Sequence, residues 1–261
     1  IVDSYNFRHD FLLQIKKNSL TVGFDDFSKF DLAFDIIINI SPTAKKTDYN
    51  KFKFLLLGEK YQIIRRDILN TNYYKFNKKV KNLIILTGGD DYKKVTNKIC
   101  NYLNHSPILL KNKIICNFIV GPYSDISIDI SNYKNINFHF DPKNLTDLMS
   151  KADLAITASG QTLYELCYLG VPSIAFLAGE DQKLNMTSLS KKNVIFQIGD
   201  STSKKFIFKL NIALIKMIDD FKMRKILSKK SKNLIDGLGS ERISNELQNV
   251  ITKKSEVNNE L

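Results

Sequence analysis

Apolar positions along the chain fall into two alternating kinds of stretch. One kind is short, unbroken and of strand length: LIIL at 83–86, IICNFIV at 114–120, INFHF at 136–140, LAIT at 154–157, SIAFL at 173–177 and VIFQI at 194–198. Between these runs the apolar residues recur three and four apart, which predicts helices at 93–103, 145–151, 161–169 and 181–192. Long helical patterns cover 203–236 and 240–252, and the polar tail 253–261 is expected to fray. Upstream, TVGF at 21–24, DIIINI at 35–40 and FLLL at 54–57 read as three further strands, too few for a complete doubly wound unit. Strands alternating with helices predict an α/β class with parallel sheets. The polar stretch 70–81, rich in tyrosine and lysine, is the best candidate for a boundary, giving expected domains at 1–75 and 76–236 and a C-terminal helix and tail at 237–261. The chain opens on Ile1, and VDSY at 2–5 already reads as the end of a strand, so the N-terminal domain is expected to be truncated.

In an open α/β sheet, ligands sit beyond the carboxyl ends of the strands, so the residues just after each strand carry the functional signal. Thr87-Gly88-Gly89 follows 83–86, and two glycines there let backbone approach a ligand or simply make a tight turn. Ser159-Gly160 follows 154–157 and opens SGQTLYELCYLGVPS, 159–173. Gly160 bends the chain into a helix whose N–H groups favour anions. Leu163, Leu166 and Cys167 have the spacing of a buried face, and Glu165 falls off that face, toward the expected crevice. Its two acceptor oxygens suit the paired hydroxyls of a ribose, although a carboxylate near a helix N-terminus is also favourable by itself. Gly170 is placed to end the helix in the left-handed region, and Pro172 keeps it from continuing. A third loop, Gly179-Glu180-Asp181-Gln182, follows 173–177. Three such loops on one sheet edge describe a site for a phosphate-bearing ligand. The G-x-G-x-x-G and G-x-x-x-x-G-K-[ST] fingerprints are absent, which argues against NAD and P-loop nucleotides.

Composition alters this picture little. Of 261 residues, 43% are hydrophobic and 25% charged, an ordinary globular mixture, and no apolar run approaches the ~18 residues of a membrane span. Stable membrane insertion is not expected, and a cytoplasmic location is. Cys100, Cys116 and Cys167 stand far apart among apolar neighbours and read as buried thiols; His9, His105 and His139 lack metal-ligand spacing, so neither metal nor cofactor is expected. The net charge of +12 raises a nucleic-acid reading, with Tyr73 and Tyr74 beside lysines as its best support. The lysines are scattered, however, and the densest stretch, 222–232, has the spacing of a solvated helix face, so nucleic acid is not an expected partner.

ADLAITASGQTLYELCYLGVPSIAF at 152–176, with GEDQ at 179–182, resembles the C-terminal domain of GT-B-fold nucleotide-sugar enzymes (glycosyltransferase family 28 C-terminal-domain-like). The likeness is strongest to the UDP-sugar hydrolases of pseudaminic acid biosynthesis and their polysaccharide-biosynthesis relatives. LLGEKYQIIRRDI at 56–68, TGGDD at 87–91, FDPKNLTDLMSKADLAI at 140–156 and DGLGSERI at 236–243 resemble family segments in the family's order, as do VDSY and FDD at 24–26. The resemblance implies two Rossmann-like domains, the N-terminal one truncated here, and a UDP-sugar as the small-molecule partner. It places Gly88 and Gly89 beside the diphosphate; Ser159, Gly160, Gln161 and Thr162 as phosphate donors; Glu165 on the ribose; the backbone at Phe140 on the uracil; and Asp181 and Gln182 toward sugar or phosphate.

The chain departs from the family pattern at Ser159, where glycine is usual, and at Asp181, where asparagine is. The family's initial Gly-x-Gly-His loop, source of its candidate catalytic histidine, has no counterpart, and His9 follows a later segment. No catalytic residue is therefore assigned, and little turnover is expected of this chain alone. The resemblance favours a hydrolase releasing UDP from a deoxy-acetamido sugar; the alternatives are a UDP-sugar-dependent glycosyltransferase of polysaccharide synthesis and a non-catalytic sugar-nucleotide binder.

Overall fold

The computed structural model describes residues 1–4, 8–25, 34–49, 52, 54–71, 76–89, 95–124, 133 and 135–259, with backbone alone at 9 and 253–259. Contacts divide the chain into two compact units, one formed by 1–64 with 236–261 and the other by 65–235. Parts of the expected boundary stretch (72–75), of the TGGDD loop (90–91), of FDD (Asp26), Tyr5 of VDSY, the start of the 93–103 helix, both linker tyrosines Tyr73 and Tyr74, and the chain's last two residues lie outside the described residues.

The first unit opens with helix α1 (His9–Lys16) and carries a parallel sheet in the order β1 (Val22–Phe24), β2 (Ile36–Asn39), β3 (Phe54–Leu57). All three strands stand where the apolar runs put them. Val2 adds a parallel bridge to Gly23, so VDSY starts beside β1. Helix α1 was not legible, because HDFLLQIK buries Leu12 but leaves its neighbours Phe11 and Leu13 in solvent.

The second unit begins with a single turn, α2 (Arg66–Leu69), followed by β4 (Asn82–Leu86), α3 (Val95–Asn104), α4 (Pro107–Asn112), β5 (Ile115–Val120) and β6 (Ile136–Phe140). It continues with α5 (Leu145–Ser150), β7 (Leu154–Ala158), α6 (Gln161–Leu169), β8 (Ser173–Leu177), α7 (Lys183–Lys191), β9 (Phe196–Asp200), α8 (Phe206–Asp219) and α9 (Phe221–Leu234). Its six parallel strands run β6-β5-β4-β7-β8-β9. Numbered within the unit this is 3-2-1-4-5-6, the doubly wound order of nucleotide-binding sheets. The three central strands are covered on both faces: Leu83, Ile84, Ile85, Leu154, Ala155, Ile156, Ile174, Ala175 and Phe176 are all fully buried. That is why they read as continuous apolar runs instead of alternating ones.

Several details depart from the sequence reading: the pattern over 203–236 divides at Asp220 into α8 and α9, and helix continues to Asn259 through the stretch expected to fray. Strand β9 starts at Phe196 and not at Val194, because Val194 closes the end of α7 by donating its N–H to Leu189 O, after Asn193 turns through the left-handed region at φ 54°. The expected helix over 181–192 divides into a 3-10 turn, Glu180–Gln182, and α7.

Helix α10 (Gly239–Asn259) returns to the first unit. Ile243 and Val250 join Val22, Ile36, Ile38, Leu56 and Tyr61 in one apolar cluster, with Leu247 packed against it. The expected division therefore shifts: 237–261 is no separate tail segment but completes the core of the first unit. The change of unit falls at Ile64/Arg65, because the backbone and side chains from Arg65 onward bond to the second unit. Asp67 accepts from Thr146 at 2.6 Å, and Tyr168 donates its hydroxyl to Leu69 O.

Candidate functional site

The connections that leave β4 and β7 run to opposite sides of their sheet, so the carboxyl ends of these two neighbours flank the switch point where open α/β sheets hold ligands. A cavity of about 310 Å³ lies there. The loop after β4 contributes Gly88 and Gly89, the loop after β5 Gly121 and Pro122, and the loop after β6 Asp141 and Pro142. Gln161, Thr162 and Glu165 enter from the first turns of α6, and Arg65 and Leu145 complete the wall with the strand ends Leu86, Ile119 and Val120. Its size is at the small end of ligand pockets, and its lining combines apolar surface with a few convergent polar groups.

Each loop is fixed by its own local chemistry. Thr87, buried at the end of β4, shares a 3.0 Å hydroxyl contact with Thr96 of α3. The loops after β4 and β5 meet backbone to backbone: Tyr123 N–H donates to Gly89 O at 3.1 Å, and a Cβ on Gly121 would stand 2.5 Å from Gly88 O. Only glycine permits that approach. Helix α6 stops at Gly170, φ 80°, whose N–H reaches Leu166 O while Val171 N–H does the same, the left-handed ending that the sequence predicts.

Of the ten residues singled out by sequence, Gly88, Gly89, Gln161, Thr162 and Glu165 meet at the cavity. Phe140, 56% exposed at the end of β6, stands next to the lining pair Asp141-Pro142. Ser159 is fully buried and holds the loop together: its N–H donates to Phe176 O (3.0 Å) and Gln182 Oε1 (3.2 Å), and its hydroxyl donates to Phe176 O (2.9 Å). Gln182 Oε1 also accepts from Ala178 N–H, so this side chain ties the loop after β8 to the loop after β7. Gly160 is the N-cap of α6, and Asp181 is exposed in the 3-10 turn; neither lines the cavity.

Glu165 differs most from expectation. It does not sit on an outward face of α6, because the helix is buried all round from Leu163 to Leu169, packed between the sheet, α5 and α9. Its carboxylate, only 3% exposed, is held by a two-point ion pair, Arg65 Nε to Oε1 at 2.6 Å and Nη2 to Oε2 at 3.1 Å. Burial of a carboxylate demands such a partner. The hydrogen bond to Glu165 raises the pKa of the Arg65 guanidinium above its ordinary value. On its other flank Arg65 has Asp67 at 3.8 Å, whose carboxyl is pulled down chiefly by the hydroxyl of Thr146. Arg65 escaped the sequence reading because a pairing a hundred positions away leaves no local signal. Gly121-Pro122 did leave one, a glycine directly after a strand, of the same kind as Gly88 and Gly160.

Among the described residues no group of His, Cys, Asp and Glu is arranged to hold a metal, and no helix is long and apolar enough to cross a membrane. His139 instead shares a 3.0 Å contact with Asn117 Oδ1 across β5 and β6. All three cysteines are buried.

The chain is similar to several known proteins. The spore coat polysaccharide biosynthesis protein SpsG of Bacillus subtilis is 23% identical over 243 residues, covering 90% of this chain and 68% of that protein. The uncharacterized protein MJ1062 of Methanocaldococcus jannaschii is 28% identical over 145 residues, half of this chain but only 27% of that protein's length. Among solved structures, spinosyn rhamnosyltransferase SpnG complexed with thymidine diphosphate superposes with a TM-score of 0.58 at 12% identity, over 90% of this chain and 69% of that one. The likeness places the α/β fold with the GT-B glycosyltransferases. Residues 59–243 match the glycosyltransferase family 28 C-terminal domain, a span that takes in every loop of the cavity, and the chain belongs to that family.

Proposed function

We propose that the second unit is the nucleotide-sugar donor site of a glycosyltransferase of polysaccharide biosynthesis, with UDP as the nucleotide. The observation that carries this reading is the cavity at the switch point, where the N-terminus of α6, a glycine pair and the Glu165 carboxylate face one space. In this reading the diphosphate lies against the first turn of α6 at Gln161 and Thr162 and along Gly88-Gly89. Backbone N–H groups and the helix dipole there stabilise the charge that grows on the departing nucleotide. Glu165 accepts from the ribose hydroxyls, and the base lies toward Asp141-Pro142, next to Phe140. Ser159, Gly160 and Gln182 act by holding the turn into α6, and Asp181 stands toward the sugar.

Family membership and the relationship to a polysaccharide biosynthesis protein favour transfer over hydrolysis. The two reactions share the same leaving group, so the donor cavity serves either; no catalytic side chain is assigned. Calorimetric titration with UDP, with thymidine diphosphate for comparison, tests the reading. UDP binds, and Glu165→Ala weakens it by ~1 kcal/mol or more, the scale of lost hydrogen bonds to a charged group. A folded protein that ignores both nucleotides refutes the donor site. Release of UDP from a UDP-sugar, followed with and without a sugar acceptor, separates the reactions: release that needs no acceptor is hydrolysis.

A further inference from the structure

The ion pair between Arg65 and Glu165 stands inside the cavity and not beside it, which has a consequence for what can enter. Both oxygens of the Glu165 carboxylate are engaged by one guanidinium, at 2.6 and 3.1 Å. The carboxylate is 3% exposed and Arg65 48%, so the buried member depends on the exposed one for its compensating charge. A ribose offers Glu165 two neutral hydroxyl donors. These replace the hydrogen bonds of the guanidinium but leave Arg65 without its carboxylate. A diphosphate in the same cavity supplies what the ribose lacks, an anion for the displaced guanidinium, and Arg–phosphate contacts are strong charge-assisted ones.

Resting on the donor-site reading above, we propose that Arg65 is a specificity-determining latch. Arg65 closes on Glu165, and a nucleoside diphosphate opens the pair by exchanging partners, with guanidinium passing to phosphate and carboxylate to ribose. The site therefore discriminates against nucleosides lacking phosphate, and its phosphate and ribose subsites are coupled. The groups that the exchange involves, Arg65, Glu165, the glycine pair and the start of α6, all line one cavity. Asp67, 3.8 Å from Arg65 Nη1 and itself held by Thr146, is a second carboxylate beside the paired guanidinium.

Calorimetry with UDP, uridine and inorganic pyrophosphate, on the wild type, Arg65→Ala and Arg65→Lys, tests the latch. Arg65→Ala is expected to weaken UDP by about tenfold or more, the cost of a lost charge-assisted contact. The same substitution leaves uridine binding unchanged or tightens it, because no pair has to be broken. Arg65→Lys, which keeps the charge but not the fork, falls between for UDP. In the wild type, saturating pyrophosphate tightens uridine several-fold by drawing Arg65 off Glu165, and reciprocally uridine tightens pyrophosphate; Arg65→Ala abolishes the coupling. Parallel loss of UDP and uridine in Arg65→Ala, uridine undetectable in both proteins, or wild-type pyrophosphate and uridine that bind independently each overturn the latch while leaving the donor site standing. Wild-type protein that ignores UDP overturns both.

Discussion

Replacing Gly121 by alanine tests the contact on which the cavity wall depends. The new methyl would stand 2.5 Å from Gly88 O, 2.6 Å from Gly89 Cα and 2.6 Å from Gly89 O, all backbone atoms. No side chain can rotate away to make room, so the two loops must separate, and the 3.1 Å bond from Tyr123 N–H to Gly89 O is strained with them. Forcing a methyl into a packed contact costs about 1–3 kcal/mol. Alanine also restricts the unfolded chain more than glycine does, which returns about 0.4–1 kcal/mol. The steric term wins, and a net loss of about 1–2 kcal/mol is expected. Urea unfolding reads this as a lower midpoint at unchanged slope. Gly89→Ala is the matched control. Its methyl meets nothing within 4 Å, so stability should stay within about 0.5 kcal/mol of wild type. Because Gly89 lines the cavity, that variant should still weaken UDP binding, whereas Gly121→Ala should lower stability and binding together. Equal unfolding midpoints for Gly121→Ala and wild type would refute the close approach and with it the account of how the first two loops are held.

Arg224 is fully buried, and backbone carbonyls receive its guanidinium: Nη1 donates to Met217 O and Ile218 O, at 2.5 and 2.8 Å, and Nη2 to Lys78 O at 2.6 Å. Arg224→Met keeps the bulk and strips these carbonyls of their donors, which should cost about 2–4 kcal/mol in urea unfolding; a loss below ~0.5 kcal/mol would contradict the bonding pattern. Burial pushes the Cys116 and Cys167 thiols up to about 12 from an ordinary 9.0. The unfolded chain then ionises first as pH rises, so stability present below pH 9.0 is lost between there and about 12. Cys116→Val and Cys167→Val should each flatten that alkaline decline, and an unchanged decline in both would refute the assignment.

The sheet of the second unit was legible because its strands are buried on both faces and bounded by turns. Leu154–Ala158 and Ser173–Leu177 offer nothing but small and apolar side chains to either side, and a run of that length followed closely by a glycine has few other homes. The three glycine-bearing loops were legible for the same local reason. Partnership was not. Sequence spacing put Glu165 on the open side of an amphipathic helix, but α5 and α9 cover that side, and burial then made Arg65 indispensable. Ser159 and Gln182 carry the right chemistry for a phosphate, yet their polar atoms are engaged in joining two loops, a contact between residues 23 positions apart that no local pattern encodes. Helix α10 was recognised as a helix, but its apolar stripe does not say which sheet it covers. The pairing of Ile243 and Val250 with β1–β3 is set by topology alone.

The return of α10 to the first unit orders events as the chain is made. Translation delivers β1, β2 and β3 before the second unit, whereas Ile243 and Val250, which join their apolar cluster, come only after it. The second unit, continuous from 65 to 235, has all its strands and helices before α10 exists and can complete its own core first. The first unit must wait, with a face carrying Val22, Ile36, Ile38 and Leu56 uncovered in the interval. The unit that carries the cavity can thus complete its core before the unit that precedes it in sequence. Until α10 docks, that face of the three-stranded sheet is open to misassociation.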